Sequence, residues 1–142
     1  MRESLERISV SSDDLKTLGN ALQKYIDSAN ATWVVLVTRS GQMLAQRGFS
    51  SSFDVVTIAA LAGGIFNSTM AMAELVGERA FGEFLQEGKK MSLFYLLLGG
   101  EFFLVSMFDD RTLPGVVKAA SERCAGDVGR GLQRIIDKMG RK

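Results

Sequence analysis

The stretch from Val55 to Ala73 runs for nineteen residues without a charged side chain. A segment of that length must be hidden on more than one side, so it constrains how the rest of the chain is arranged around it. Seven of the nineteen residues are Ala or Gly, four are Thr57, Asn67, Ser68 and Thr69, and only eight are large and apolar. A bilayer-spanning helix needs about 20 predominantly apolar residues. The segment falls short of that and reads as a helix covered on both sides within a soluble protein. Its expected bounds are Phe53 to Val76, with Gly77 as a C-terminal cap.

At 100° per residue, Val55, Ile58, Ala62, Ile65, Phe66, Met70, Met72, Ala73 and Val76 spread over one broad side, which is expected to lie on a sheet. The other side holds Thr57, Ala60, Gly64, Asn67, Ser68 and Ala71. A solvent-facing side ordinarily carries Lys, Glu and Arg; here the first charge is Glu74. Ala60, Gly64 and Ser68 form a small-residue row at four-residue spacing that lets another backbone come close. Gly64 in a helix interior costs about 1 kcal/mol relative to Ala, which calls for compensation. Two readings stand: a protein-binding face, or a face covered by other parts of the same chain.

The remaining elements arrange themselves around this helix. Ser11 to Asp14 offers a cap and early acidic residues, and Leu15, Leu18, Leu22, Tyr25, Ile26 and Ala29 then recur at helical spacing. Trp33 to Thr38 is a β-branched run, Arg39 to Gln42 a turn, and Met43 to Arg47 a returning strand. Three strand-like runs follow the long helix: Ala80 to Gln86, Met91 to Leu98 and Glu101 to Phe108, separated at hairpin distances. The middle run is apolar in both phases, so it belongs in the middle of the sheet. Asp109 and Asp110 end it as turn or capping residues. Pro114 sits in the first turn of a last helix. The apolar stripe of that helix is Leu113, Val117, Ala120, Cys124, Val128, Leu132, Ile135 and Met139. Gly126, Gly129 and Gly131 weaken its second half. The order α-β-β-α-β-β-β-α, with five strands and helices on their faces, makes an α+β sandwich. The chain reads as one domain over 1–142, with its core at about 12–125 and a C-terminal helical extension at about 126–142.

Composition removes whole classes of activity. The 17 basic and 16 acidic residues nearly cancel, which argues against a duplex nucleic-acid binder. There is no histidine and one cysteine, Cys124, so neither a Ser-His or Cys-His pair nor a Cys-rich metal site is available. Gly82 to Lys90 superficially resembles a phosphate loop but misses the spacing by one residue and lacks Ser or Thr after the lysine. It also joins two strands, whereas a phosphate cradle opens a helix. No catalytic residue, metal or cofactor is expected. Charges in Met1 to Arg7 occupy the place of a signal peptide's apolar run, so a cytoplasmic location is expected.

The Thr38-Arg39-Ser40-Gly41-Gln42 turn and the helix Ile58 to Gly64 resemble the roadblock / dynein light chain family. Ala73 to Glu78, Phe84, Glu87-Gly88, Ser92 to Tyr95, Phe108 to Thr112 and Gly115 to Lys118 are similar to its bacterial gliding-motility branch. The likeness covers roughly residues 14 to 125. It implies a profilin-like fold, a five-stranded antiparallel sheet between the central helix and the two terminal helices. It further implies a homodimer, brought together by central helices and edge strands, that binds a small Ras-like GTPase and promotes its GTP hydrolysis without donating a catalytic residue. Ala60, Gly64, Asn67 and Ala71 are then expected to face the GTPase, and Leu61, Ser68, Phe81 and Phe84 to lie at the dimer seam. A plain scaffold that leaves hydrolysis unchanged keeps the same fold. A small-ligand sensor would need a pocket with convergent polar groups.

Overall fold

The computed structural model describes residues 11–49, 54–79, 81–99 and 101–140. Helix α1 spans Ser12–Ala29 and is capped by Ser11, whose hydroxyl accepts from the Asp14 amide at 3.2 Å. It stops at Asn30, which takes the left-handed conformation at φ 56° and donates its amide to Ile26. A short hairpin follows, β1 over Trp33–Thr38 and β2 over Met43–Gly48. Helix α2 covers Val55–Leu75. Strands β3 (Glu83–Glu87), β4 (Ser92–Leu98) and β5 (Phe102–Phe108) form a meander, and α3 closes the chain from Pro114 to Gly140.

The strands make one antiparallel sheet in the order β2-β1-β5-β4-β3. Side chains alternate across it, as the two-residue period of a strand demands. Val34, Leu36, Phe94, Leu96, Leu98, Phe102, Leu104 and Phe108 face α1 and α3. Trp33, Val35, Val37, Tyr95, Phe103, Val105 and Met107 face α2, with the Phe66 ring stacked on Phe103 at 4.4 Å. The architecture is therefore the expected α+β sandwich, two helices on one face and one on the other. β4 lies inside the sheet as its two apolar phases require, but the central strand is β5, buried at every position.

Several details differ from the sequence reading. α2 starts one residue after Asp54, whose carboxylate accepts from the Thr57 amide at 3.1 Å and the Thr57 hydroxyl at 2.7 Å; Phe53 lies outside the described residues. Met72 and Val76, assigned to the sheet side, are exposed, because helical azimuth does not reveal where a helix runs past the sheet. Strand β3 begins at Glu83, so Phe81 precedes it, and Ala80 lies outside the described residues. Leu113 is exposed ahead of α3. The Met139 side chain lies outside the described residues. The α3 glycines do not interrupt the helix. At Gly131 an added Cβ would stand 3.0 Å from Leu18 Cδ2, so the missing side chain is what lets α1 pack this close.

Candidate protein-binding surface

α2 is long and apolar enough, by length and composition, to cross a membrane, yet it lies on the sheet. Only 22% of its most apolar window is buried, however. Ala59, Ala62, Gly63, Phe66 and Ala73 are its buried residues. Ala60, Leu61, Gly64, Asn67, Ser68 and Ala71 are all exposed. So are Val56 at 66%, Leu61 at 63%, Met72 at 57% and Leu75 at 86%. Among the described residues, the β1–β2 turn touches this side at Asn67 and Ala60, and the rest of it lies open. An uncharged surface with this many exposed apolar side chains ordinarily marks an interaction site.

The two flanks of α2 differ. One leans on the β1–β2 turn. That turn is fixed by its own bonds: the Thr38 amide donates to Gln42 O at 2.9 Å, the Gly41 amide to Thr38 O at 2.9 Å and the Gln42 amide to Thr38 Oγ1 at 3.1 Å. Gly41 has φ 93°, and its backbone presses so closely on α2 that a Cβ on Gly63 would stand 3.0 Å from Gly41 Cα. Just above, Asn67 uses both ends of its amide. Its Nδ2 donates to Arg39 O at 2.7 Å, and its Oδ1 accepts from Arg39 Nε at 3.2 Å. On a helix at 100° per residue, Ala60, Gly64 and Ala71 sit beside or just outward of this clamp.

The other flank carries Leu61, Ile65, Ser68 and Met72, by the same helical geometry. It looks toward the β4–β3 side of the sheet, where Phe84, Leu93 and Leu97 are only partly buried. Phe84 stacks on Tyr95 at 4.2 Å, and Phe81 is half-buried just outside the strand. β3 ends the sheet. Its Glu83 pairs with Lys118 of α3 at 3.0 Å, which raises the lysine's pKa. The structure thus parts the expected site residues into two strips: Ala60, Gly64, Asn67 and Ala71 on the turn side, and Leu61, Ser68 and Phe84 on the β3 side. The Arg39–Asn67 clamp was not readable from periodicity, since its partners lie 28 residues apart.

Hydrogen bonds to Thr57 hold the Asp54 carboxyl below its ordinary range at the start of α2. Among the described residues no group of three or more His, Cys, Asp or Glu is placed to hold a metal. A cleft of about 460 Å³ opens near the start of α2, lined by Trp33, Ile58, Met91, Leu93 and Met107, with Gln86 and Glu87 on its rim. The Gln86 side chain already accepts from the Tyr95 hydroxyl at 2.8 Å.

A central helix alone on one face of a 2-1-5-4-3 antiparallel sheet, with two terminal helices on the other, defines a profilin-like sandwich. The chain belongs to the Roadblock/LC7 domain family, whose model matches residues 17–108. It is similar to Myxococcus xanthus MglB, at 25% identity and a TM-score of 0.84 over 89% of this chain and 96% of that one. The gliding protein MglB of Thermus thermophilus gives the same identity, coverage and TM-score. Acanthamoeba castellanii profilin IA shares the fold alone, at 13% identity and a TM-score of 0.56 over 80% of this chain and 98% of that one. No curated protein matches the chain significantly.

Proposed function

We propose that this protein is a cytoplasmic, non-catalytic regulator that works as a homodimer, binds a small Ras-like GTPase and stimulates its GTP hydrolysis, in bacterial cell polarity or motility. The observation that carries the reading is the charge-free outer side of α2, exposed in a fold that matches two bacterial gliding proteins over nearly their whole length. The turn-side strip, Ala60, Gly64, Asn67 and Ala71, meets the GTPase. The opposite strip, Leu61 and Ser68 with Phe81, Phe84 and the edge of β3, meets a second copy of the chain. The sheet favours β3 over β2 as the pairing edge. α1 packs against β2, and Arg47 Nη1 donates to the Gln46 carbonyl at 2.7 Å. Thr32 O accepts from the Phe49 amide, so by antiparallel alternation the Gln46 carbonyl points off the edge. β2 is thereby blunted in the way natural edges are.

The test mixes the purified protein with each small Ras-like GTPase of its source organism, preloaded with GTP, and follows single-turnover hydrolysis and binding. Accelerated hydrolysis supports the regulator. Binding without acceleration leaves a scaffold. Binding to none of them defeats the reading.

A further inference from the structure

We propose that the margin of β2 is a second interaction surface, one that fits the β2 of another copy of this chain, and that Arg47, seated against Gly19 of α1, is the strap that keeps it closed. The inference rests on the dimer reading above, in which β3 is the pairing edge, and concerns the opposite side of the sheet.

Two sheets joined at β3 leave β2 at each outer end. Such an assembly stops at the dimer only if β2 refuses a partner. If β2 accepts one, each dimer can take on another at either end, and the contact propagates as an open chain.

The composition of β2 does little to prevent this. Arg47 is the only charged side chain over Met43–Gly48, and no proline interrupts the run. Phe49, just beyond it, is 62% exposed. β3, by contrast, carries Glu83 and Glu87. α1 packs on the face of β2 but leaves room along it: a groove of about 490 Å³ runs beside the strand, lined by Ser12, Leu15, Lys16 and residues 43–47.

The barrier is the placement of the Arg47 side chain. Arg47 lies opposite Val34 in the ladder, so both side chains rise on the α1 face. The guanidinium then turns over the strand margin, where Nη1 donates to the Gln46 carbonyl at 2.7 Å. That carbonyl is one of the outward acceptors a second strand needs, and it is already taken. Behind it the guanidinium lies where α1 has no side chain, since a Cβ on Gly19 would stand 2.7 Å from Arg47 Cζ. Gly19 is buried within a helix, where glycine costs about 1 kcal/mol relative to Ala. The notch it leaves for the guanidinium is the compensation. A strand arriving at this margin has to evict a charged group from its seat or bury it unpaired, and burying an unpaired charge is unfavourable.

The experiment follows the mass of the purified protein by sedimentation over a range of concentrations, for the wild type, Arg47→Ala, Gly19→Ala, and Arg47→Ala combined with Leu85→Pro. Arg47→Ala bares the margin, and its weight-average mass is expected to climb with concentration to about twice that of the wild type or beyond. Gly19→Ala displaces only the far end of a flexible side chain and favours the helix, so it should fold and show a smaller rise in the same direction. The double variant has only β2 left to pair and should stop at a dimer. Arg47→Ala that keeps the wild-type mass at every concentration overturns the inference. Growth as great in the double variant as in Arg47→Ala also overturns it, since the association would then not depend on strand edges. Growth in Arg47→Ala with none in Gly19→Ala overturns the seat on α1. A monomeric wild type removes the β3 dimer instead; in that case a dimeric Arg47→Ala still supports the strap and a monomeric one overturns it.

Discussion

The Tyr25 hydroxyl donates to Ser106 Oγ at 2.6 Å inside the layer between α1 and β5, where both side chains are buried. Ser106 is the one polar residue of the fully buried central strand, and Tyr25 is what satisfies it. Tyr25→Phe leaves the serine without its donor, at a cost of about 1–3 kcal/mol. Adding Ser106→Ala to Tyr25→Phe is expected to cost less than the two single losses summed. Urea unfolding of the three variants measures this, and strict additivity would show the pair to be uncoupled.

Alkaline pH should destabilise the protein through two buried groups, Cys124 and Tyr25. Burial pushes the Cys124 thiol up to about 12, with Asp127 adding to the effect, and burial raises Tyr25 against the opposing Ser106 bond. Both groups stay neutral when folded, whereas the unfolded chain releases these protons first. The stabilisation is present below about pH 9 and is lost as pH rises from there toward 12, at up to about 1.4 kcal/mol per pH unit for each group, Cys124 first and Tyr25 from about pH 10. Cys124→Ala should flatten the slope between pH 9 and 10 in denaturant titrations.

Gly63 and Gly64 are neighbours with opposite expectations. Gly64 has nothing within 4 Å of a Cβ position, so Gly64→Ala should stabilise the protein by roughly 1 kcal/mol through helix propensity alone. At Gly63 the Cβ would press on the Gly41 backbone, and Gly63→Ala should lose about 1–3 kcal/mol through overpacking. Thermal melting that moves both variants in the same direction would contradict the placement of the β1–β2 turn on α2.

Leu97 donates its amide to Gly82 O at 2.8 Å, which fixes the alternation of the β3–β4 ladder. With Phe84 opposite Tyr95, Phe84 and Gln86 bond inward and the amide of Leu85 points off the sheet edge. Leu85→Pro therefore removes an outward donor and spares the ladder. The variant is expected to be a folded monomer in sedimentation equilibrium. A folded dimer would mean that β3 is not the pairing edge.

Ala71→Arg places an unpaired charge on the turn-side strip. An uncompensated buried charge at an interface costs about 2–5 kcal/mol, equivalent to roughly one to four orders of magnitude in affinity. The expected product is a dimer with unchanged melting that no longer binds the GTPase. Conversion to a monomer would show that both strips belong to the seam.

Element order and the two faces of each strand were legible because they follow from alternation and turn residues within a few positions of one another. The buried side of α2 was mostly legible for the same reason: Ala62, Phe66 and Ala73 lie where a 3.6-residue period puts them. Met72 and Val76 were misplaced because period fixes direction around a helix and says nothing of how far the sheet extends beneath it. The start of β3 was misjudged because Phe81 is apolar like a strand residue and the Gly82 carbonyl still bonds Leu97, although the strand itself begins at Glu83. Within the site, the smallness of Ala60, Gly64 and Ala71 was visible from sequence. The clamp between Asn67 and Arg39 was not, since it exists only once the β1–β2 turn has been laid against α2.

The sheet order has a consequence for synthesis. β1–β2 and β3–β4–β5 are each built from neighbouring segments, but the two are joined only where Trp33 to Thr38 pairs with Phe102 to Met107. At about 5–20 residues per second, the first hairpin leaves the ribosome roughly 3–12 s before its partner strand exists. During that interval the inner edge of β1, buried at every position in the finished protein, has no neighbour. A nascent chain arrested before Phe102 should accordingly be held by chaperones, and one extended past α3 should be released.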